Sequence, residues 1–237
     1  LNNLLNLTRY HYKNCLNYKK ILDQLNFSKK KKVSSIEELP FLPVQIFKKF
    51  KMISVDEKKI VKVLLSSGTS SGIPSKIYLD KYNSLNQRTI LTKIFQYHFG
   101  TSRLPMIFVS QKPSKKNLFD AKMAALNGFS LFGKNHFYML DDKRKINYVG
   151  LNKFLKSHQN QKFIIFGFTF EVFKYLYKIL DMKKISGSFK NSILIHGGGW
   201  KKMEKVKVEK KLFKDYLKKK LGIKNIHNYY GLIEQTG

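Results

Sequence analysis

The chain has 237 residues, with 46 lysine and arginine residues against 15 acidic ones and a formal net charge of +31. Only four of those cations are arginine, the residue that specific readers of nucleic acid prefer, so the charge does not predict a nucleic-acid-binding protein. No run of 18 apolar residues predicts a transmembrane helix. The only cysteine, Cys15, excludes an internal disulfide framework and leads us to expect a cytoplasmic protein.

The first part of the chain is predicted to be helical and to end in a basic linker. Apolar residues at helical spacing predict a helix over residues 1–27, and the lysine-rich stretch 28–35 predicts an exposed connection. Two prolines predict extended backbone over residues 39–43. We therefore expect a helical N-terminal segment with its linker at residues 1–38, followed by a nucleotide-binding α/β domain at residues 39–237.

A loop rich in small hydroxyl residues separates two predicted strands, at residues 59–65 and 76–80. Small residues let backbone N–H groups converge and glycine permits positive φ, so a loop of this kind is suited to hold a phosphate. An ordinary hairpin loop built from turn residues is the alternative. The candidate phosphate-binding residues are Ser67, Gly68, Thr69, Ser70, Ser71 and Gly72.

Helices and strands alternate through the rest of the chain. This order predicts an α/β fold with a largely parallel sheet and flanking helices. In such sheets, ligands bind beyond the carboxyl ends of the strands. The predicted helices span residues 82–100, 117–132, 149–158, 169–180 and 204–221, and the predicted strands span residues 105–110, 135–140, 163–167, 192–196 and 225–230.

The strand at residues 192–196 ends in three glycines, Gly197, Gly198 and Gly199. Bare backbone allows a flat ligand such as adenine to lie against it, and a tight strand exit is the alternative. Trp200 is suited to stack on a ligand, although a single tryptophan is more often part of a core. His196 alone indicates a structural histidine rather than a catalyst.

The last predicted strand leads through Tyr230 and Gly231 to Glu234. A carboxylate in this position is suited to hold Mg²⁺ against a phosphate, and a salt-bridged surface glutamate is the alternative. One cysteine and six scattered histidines give no zinc-ligand spacing, and Cys15 is interpreted as structural.

Four segments in this order, at residues 39–48, 66–76, 196–201 and 230–235, resemble the acyl-protein synthetase (LuxE-like) family of the adenylate-forming (acyl-AMP ligase) superfamily. The resemblance implies the N-terminal domain of an enzyme that activates a carboxylic acid, expected to be a fatty acid, with ATP and Mg²⁺ as acyl-AMP. The acyl group is then transferred to a thiol, so the implied partners are the acid and an acyl-accepting protein or thiol.

The resemblance also implies a role for each matching residue. The loop residues 67–72 would hold the ATP phosphates, and Gly197, Gly198 and Gly199 would flank the adenine. Tyr230 would lie by the adenine, with Gly231 beside it in the nucleotide site, and Glu234 would bind Mg²⁺.

Three departures from the superfamily pattern accompany this resemblance. The loop between Gly68 and Gly72 is one residue longer than usual, and Ile233 replaces a threonine. The ribose-binding aspartate, the C-terminal domain with its lysine and the acyl-accepting cysteine lie beyond this sequence, which we expect to be an N-terminal fragment. A non-catalytic relative that docks an acidic partner through residues 201–220 is the main alternative function, and a basic nucleic-acid-binding protein is a further one.

Overall fold

The computed structural model describes residues 1–28, 31–66, 72–113, 121–200, 208–231 and 233–234. The chain divides into two compact units. The first comprises Leu1–His98 and Leu232–Gly237, and the second comprises Phe99–Gly231. Among the described residues, no helix combines the length and the apolarity that crossing a bilayer requires.

The first unit begins with two helices where the sequence predicted one. Cys15 adopts an extended conformation between them, with φ −119° and ψ 108°, and its backbone N–H caps the first helix at His11. The apolar pattern continues across this break because both helices contribute to one small core, which includes Leu5, Leu22 and Phe27. The helices of this unit are α1 (Asn2–Asn14), α2 (Leu16–Gln24), α3 (Ile46–Lys49) and α4 (Lys81–Phe99).

A two-stranded antiparallel hairpin completes the first unit. Its strands are β1 (Ile60–Leu65) and β2 (Lys76–Asp80), which confirms the two strands predicted on either side of the hydroxyl-rich loop. The backbone N–H of Ser66 donates to the Ser75 carbonyl at 3.1 Å, and the Ser75 N–H donates to Ser66 Oγ at 2.7 Å. The ends of the loop are therefore held together at its base.

The second unit is built on a five-stranded parallel sheet, as the alternating sequence pattern predicted. The three inner strands are nearly continuous apolar runs that are buried on both faces, which is typical of parallel sheets covered by helices. The strand order is β4-β3-β5-β6-β7. The strands are β3 (Leu104–Gln111), β4 (Gly133–Leu140), β5 (Phe163–Phe168), β6 (Ser192–Gly197) and β7 (Asn225–Tyr229).

Helices cover both faces of this sheet. One face packs against α5, where the ring of Phe129 stacks on that of Phe166. The other face carries the main core, to which α6, a π-helical segment and α8 contribute. We call them the α5 face and the α8 face. The helical elements are α5 (Ala121–Ser130), α6 (Tyr148–Ser157), α7 (Thr169–Glu171), the π-helical segment Val172–Ile179 and α8 (Lys210–Leu221).

The observed bounds of the helices and strands agree with most of the predicted ones, but one predicted α-helix is partly π-helical. The predicted helix at residues 169–180 opens after Glu171 into π-helical turns, where the Leu180 N–H donates to the Tyr175 carbonyl at 2.9 Å. The first parts of the helices predicted at 117–132 and 204–221 lie outside the described residues. In the π-helical segment, Phe173 and Tyr175 are buried, and the ring centroid of the partly buried Tyr177 lies 4.0 Å from that of Tyr216 of α8.

Candidate nucleotide-binding site

The structure describes only one end of the predicted phosphate loop. Ser67, Gly68, Thr69, Ser70 and Ser71 lie outside the described residues. Gly72 is exposed and has φ +71°, a left-handed conformation that favours glycine. Ser75 is fully buried, and its Oγ has no hydrogen-bond partner in the part of the chain that the structure describes. The phosphate-binding role of this loop stays a prediction.

The glycines after β6 stand beside the end of β7. Gly197 is paired with Tyr229 across the parallel ladder. A Cβ on Gly197 would lie 2.6 Å from the Tyr229 carbonyl oxygen, so this close approach requires glycine. Gly198 has φ +76°, and both Gly198 and Gly199 are exposed. Gly197 therefore permits the tight exit from the strand, and Gly198 and Gly199 provide an open surface for a ligand.

Tyr229 is the residue at this edge that the sequence analysis missed. Its ring packs edge-on against Phe129 on the α5 face, with centroids 5.1 Å apart, and burial raises the pKa of its phenol. A Cβ on Gly231 would lie 2.5 Å from Tyr229 Oη, which gives Gly231 a structural reason to be glycine. Tyr230, the predicted adenine neighbour, is 77% exposed. The sequence of β7, Asn-Ile-His-Asn-Tyr, does not alternate between apolar and polar residues, so it carries no local signal that identifies Tyr229.

Glu234, the predicted Mg²⁺ ligand, lies in the first unit and is half-buried in a turn. It forms no ion pair with any described residue. Within the described ranges, no group of three or more histidine, cysteine, aspartate or glutamate side chains could hold a metal ion. A lone carboxylate nevertheless suits Mg²⁺, which proteins commonly bind through one or two carboxylates together with substrate phosphates.

His196 points to the α8 face and is 4% exposed. Its Nδ1 lies 3.0 Å from Thr169 Oγ1, and its ring packs edge-on against Phe213. Burial and the nearby positive charge of Lys214 lower the pKa of His196 to about 4, so its imidazole is neutral at pH 7. The interpretation as a structural histidine fits the Thr169 contact. It does not explain Nε2, which has no hydrogen-bond partner among the described residues.

Trp200 is half-buried and packs against the aromatic core of the α8 face. Its ring centroid lies 4.8 Å from that of Phe173 and 5.9 Å from that of Phe213. These contacts favour the core role for Trp200 over a ligand-stacking role, because the indole is already held by two rings.

A cavity of about 610 Å³ in the first unit was not apparent from the sequence. Cys15, His11 and Ser54 are among the residues that line it, and His11 Nδ1 lies 2.7 Å from Ser54 Oγ. Burial lowers the pKa of His11. Because the histidine and the serine satisfy each other and Cys15 is buried, the structural interpretation of Cys15 remains adequate.

Comparison with solved structures shows that this chain has the fold of known ligases. An open conformation of 2-hydroxyisobutyryl-CoA ligase, in complex with 2-HIB-AMP and CoA, superposes with a TM-score of 0.66 at 12% sequence identity. The same ligase in its thioesterification state gives a TM-score of 0.64, also at 12% identity. The match covers 98% of this chain and 49% or 48% of those chains, so the chain spans about half their length.

Sequence comparison assigns the family. No curated protein sequence matches the chain significantly. The family model described as acyl-protein synthetase, LuxE, matches residues 1–237. Because this match extends over the whole chain, the resemblance seen in the four sequence segments is confirmed, and the chain belongs to the LuxE acyl-protein synthetase family.

Proposed function

We propose that the protein containing this chain activates a carboxylic acid with ATP as acyl-AMP and transfers the acyl group to a thiol. The observation that carries the proposal is the glycine edge of the sheet, where Gly197 is paired with Tyr229 and the next two glycines, Gly198 and Gly199, are exposed. A planar base can approach such backbone closely, as no Cβ intervenes. Membership in the LuxE family supports the same reaction class.

The reaction has two steps, and each leaves a distinct product. In the first, a carboxylate oxygen attacks the α-phosphorus of ATP, a new P–O bond forms, and pyrophosphate leaves with the electrons of the broken P–O bond. In the second, a thiolate attacks the acyl carbon, a C–S bond forms, and AMP leaves. Mg²⁺, when bound, would offset the negative charge of the phosphates.

The chain's own residues would act in the first step by binding and orientation. Residues 67–72 would donate backbone and hydroxyl hydrogen bonds to the phosphates, and donors of this kind stabilise charge that develops in the transition state. Gly197, Gly198 and Gly199 would flank the adenine, with Tyr230 and Gly231 beside it. Glu234 would hold Mg²⁺ against the phosphates.

We propose a fatty acid as the substrate because the α5 face beside this edge is strongly apolar. Phe129 and Phe166 are stacked with centroids 3.9 Å apart, and the half-buried Phe168 lies next to Phe166, 6.2 Å away. Phe129 and Phe166 are buried, so the half-buried Phe168 is the ring of this cluster that could contact an acyl chain, and it suits an apolar chain better than a charged one.

Exchange of labelled pyrophosphate into ATP tests the first step. The protein containing this chain should catalyse exchange only when a carboxylate is present, and tetradecanoate should support more exchange than acetate. ATP binding without exchange, across fatty and aromatic acids, would reject the adenylation proposal. Labelled acyl groups that become attached to protein and are released by hydroxylamine would test the thiol step separately.

The Glu234→Gln substitution tests the Mg²⁺ role. The amide keeps the shape of the side chain but removes its negative charge, so the affinity for ATP in the presence of Mg²⁺ should fall by on the order of tenfold. Titration calorimetry with Mg²⁺ and with EDTA measures the difference. Glu209→Gln is a matched control, since Glu209 is exposed and its side chain forms no capping hydrogen bond. Equal affinity of the Glu234 variant and the unsubstituted chain would contradict the assignment.

A further inference from the structure

A second pocket lies at the carboxyl edge of the sheet, on the α8 face. Its volume is about 680 Å³. His196, Thr169 and Asn228 line it from the sheet and the start of α7, and residues of α8 line it from the other side. Gly198 and Trp200, which follow β6, complete the lining. The family resemblance assigns no role to His196, Thr169 or Asn228.

Strand alternation separates the polar side chains of this pocket from the proposed nucleotide site, although the backbone of Gly198 borders both. Gly197 and Tyr229 contact each other on the α5 face, where Tyr229 meets Phe129. The residues immediately before them in β6 and β7, His196 and Asn228, line the pocket on the α8 face. Side chains of successive strand residues point to opposite faces of a sheet, so one strand end supplies two chemical environments.

The helix side of the pocket is strongly cationic. Lys210, Lys211, Lys214 and Lys218 all line it, with Asp215 as the single carboxylate on that side. The first three of these lysines lie at or near the N-terminal end of α8, where the helix dipole also favours an anion. A multiply charged anion therefore fits this pocket electrostatically.

His196 requires the ligand to donate a hydrogen bond as well as to carry negative charge. Thr169 Oγ1 lies 3.2 Å from the Gly197 carbonyl oxygen and 3.0 Å from His196 Nδ1. A carbonyl can only accept, so the single hydroxyl proton of Thr169 goes to Gly197, and His196 Nδ1–H donates to the threonine oxygen. The remaining ring nitrogen, Nε2, is then an acceptor that lacks a donor among the described residues.

The ligand must therefore present both negatively charged oxygens and an O–H group. We propose that this pocket binds a hydrogen phosphate group, whose oxygens accept from the lysines while its P–O–H donates to His196 Nε2. Free inorganic phosphate and a protonated phosphomonoester share this chemistry. Sulfate has the same size and the same tetrahedral oxygens, but at neutral pH it has no proton to donate.

Titration calorimetry of the chain with inorganic phosphate and with sulfate at pH 7 tests the proposal. Phosphate should bind on the order of tenfold more tightly than sulfate. Phosphate donates a hydrogen bond to His196 Nε2, whereas bound sulfate leaves this buried acceptor unsatisfied. Glycerol phosphate, titrated at pH 6 and pH 7, distinguishes the two sources of the group. If the pocket binds a phosphomonoester, the affinity for glycerol phosphate should be higher at pH 6, where more of it carries a proton. If only the free ion fits, inorganic phosphate should bind and glycerol phosphate should not. Equal affinity for phosphate and sulfate would overturn the proposal.

Two substitutions on the same helix localise the binding. Lys214→Gln should weaken phosphate binding roughly tenfold, because a charge-assisted hydrogen bond is lost. Lys219→Gln removes the same charge from an exposed lysine of α8 outside the pocket lining and should have little effect. If both variants weaken binding equally, the attraction is diffuse surface charge and the proposed pocket is wrong.

The ¹⁵N resonances of the His196 imidazole give a readout that does not depend on any variant folding. Phosphate should shift the Nε2 resonance, and sulfate should shift it less. Saturating adenosine, which carries no phosphate group, should leave phosphate binding intact, because the pocket and the proposed nucleotide site share no side chain. Displacement of phosphate by adenosine, or an unmoved Nε2 resonance, would overturn the inference. Neither result depends on whether the acyl-AMP reaction occurs.

Discussion

The two faces of the parallel sheet differ in chemistry at the same carboxyl edge. On the α5 face, the edge presents the glycine backbone at Gly197 and the aromatic ring of Tyr229, which packs edge-on against Phe129. On the α8 face, one residue earlier in each strand, it presents His196 and Asn228 opposite a row of lysines. The first environment suits a planar base and an apolar chain, and the second suits a small anion. A single strand end can therefore serve two ligands without sharing a side chain.

The largest expected effect comes from breaking the aromatic packing of the α5 face. Phe166 is 2% exposed and stacks on Phe129, so Phe166→Ala should lower the free energy of unfolding by about 3–5 kcal/mol. Urea unfolding followed by circular dichroism measures this change. Phe41→Ala is the matched control, because Phe41 is 74% exposed and its loss should cost less than about 0.5 kcal/mol.

The Phe166→Ala variant also tests whether the two faces bind their ligands independently. Under conditions in which the Phe166 variant remains folded, ATP affinity should fall, because Phe166 stacks on Phe129, which packs against Tyr229 at the glycine edge. Phosphate affinity should be unchanged. An equal loss of both affinities would show that the two faces behave as one site.

An intermediate effect is expected from acid on the α8 face. The folded chain keeps His196 neutral, with its pKa at about 4, whereas in the unfolded chain it takes up a proton near the ordinary pKa of 6.5. The unfolded state therefore binds more protons between these values, and the free energy of unfolding falls as the pH drops from about 6.5 toward 4. The loss attributable to His196 is at most about 3 kcal/mol, and above pH 6.5 it contributes no pH dependence.

Comparison of variants isolates this contribution, since burial also lowers the pKa values of His11 and His158. Unfolding in phosphate-free buffer between pH 7.5 and 4.5 should show a shallower acid slope for His196→Gln than for the unsubstituted chain. His136→Gln, which changes an exposed histidine, should keep the original slope. Identical slopes for all three proteins would contradict the buried neutral state of His196.

The fold was largely predictable because its signals are local. Apolar runs such as residues 163–167 and 192–196 predict buried strands, and their alternation with helices predicts the parallel sheet that the structure has. The break at Cys15 and the π-helical turns after Glu171 were not predictable, because tertiary packing of the aromatic and aliphatic side chains decides both.

The candidate sites were predictable only where a single segment carries the signal. The glycines after β6 indicate an open strand end in the sequence itself. Tyr229 and the pocket around His196 depend on which strands are neighbours and on how α8 is placed, and neither is encoded locally. His196 was assigned a structural role because a lone histidine gives no indication of a lysine-rich helix more than ten residues further along the chain.

The smallest expected effect separates backbone strain from ordinary helix propensity in the second unit. Gly198 has φ +76°, and a Cβ there would lie 3.2 Å from the Phe168 ring, so Gly198→Ala should destabilise the chain by about 1 kcal/mol. Gly128 lies within α5, and among the described residues no atom outside the helix's own backbone lies within 4 Å of the place that a Cβ would take. Gly128→Ala should therefore stabilise the chain by about 0.5–1 kcal/mol. Urea unfolding of the two variants should give changes of opposite sign. Stabilisation by both would mean that the left-handed turn after β6 is not retained in solution, and the open glycine surface of the α5 face would then lose its structural basis.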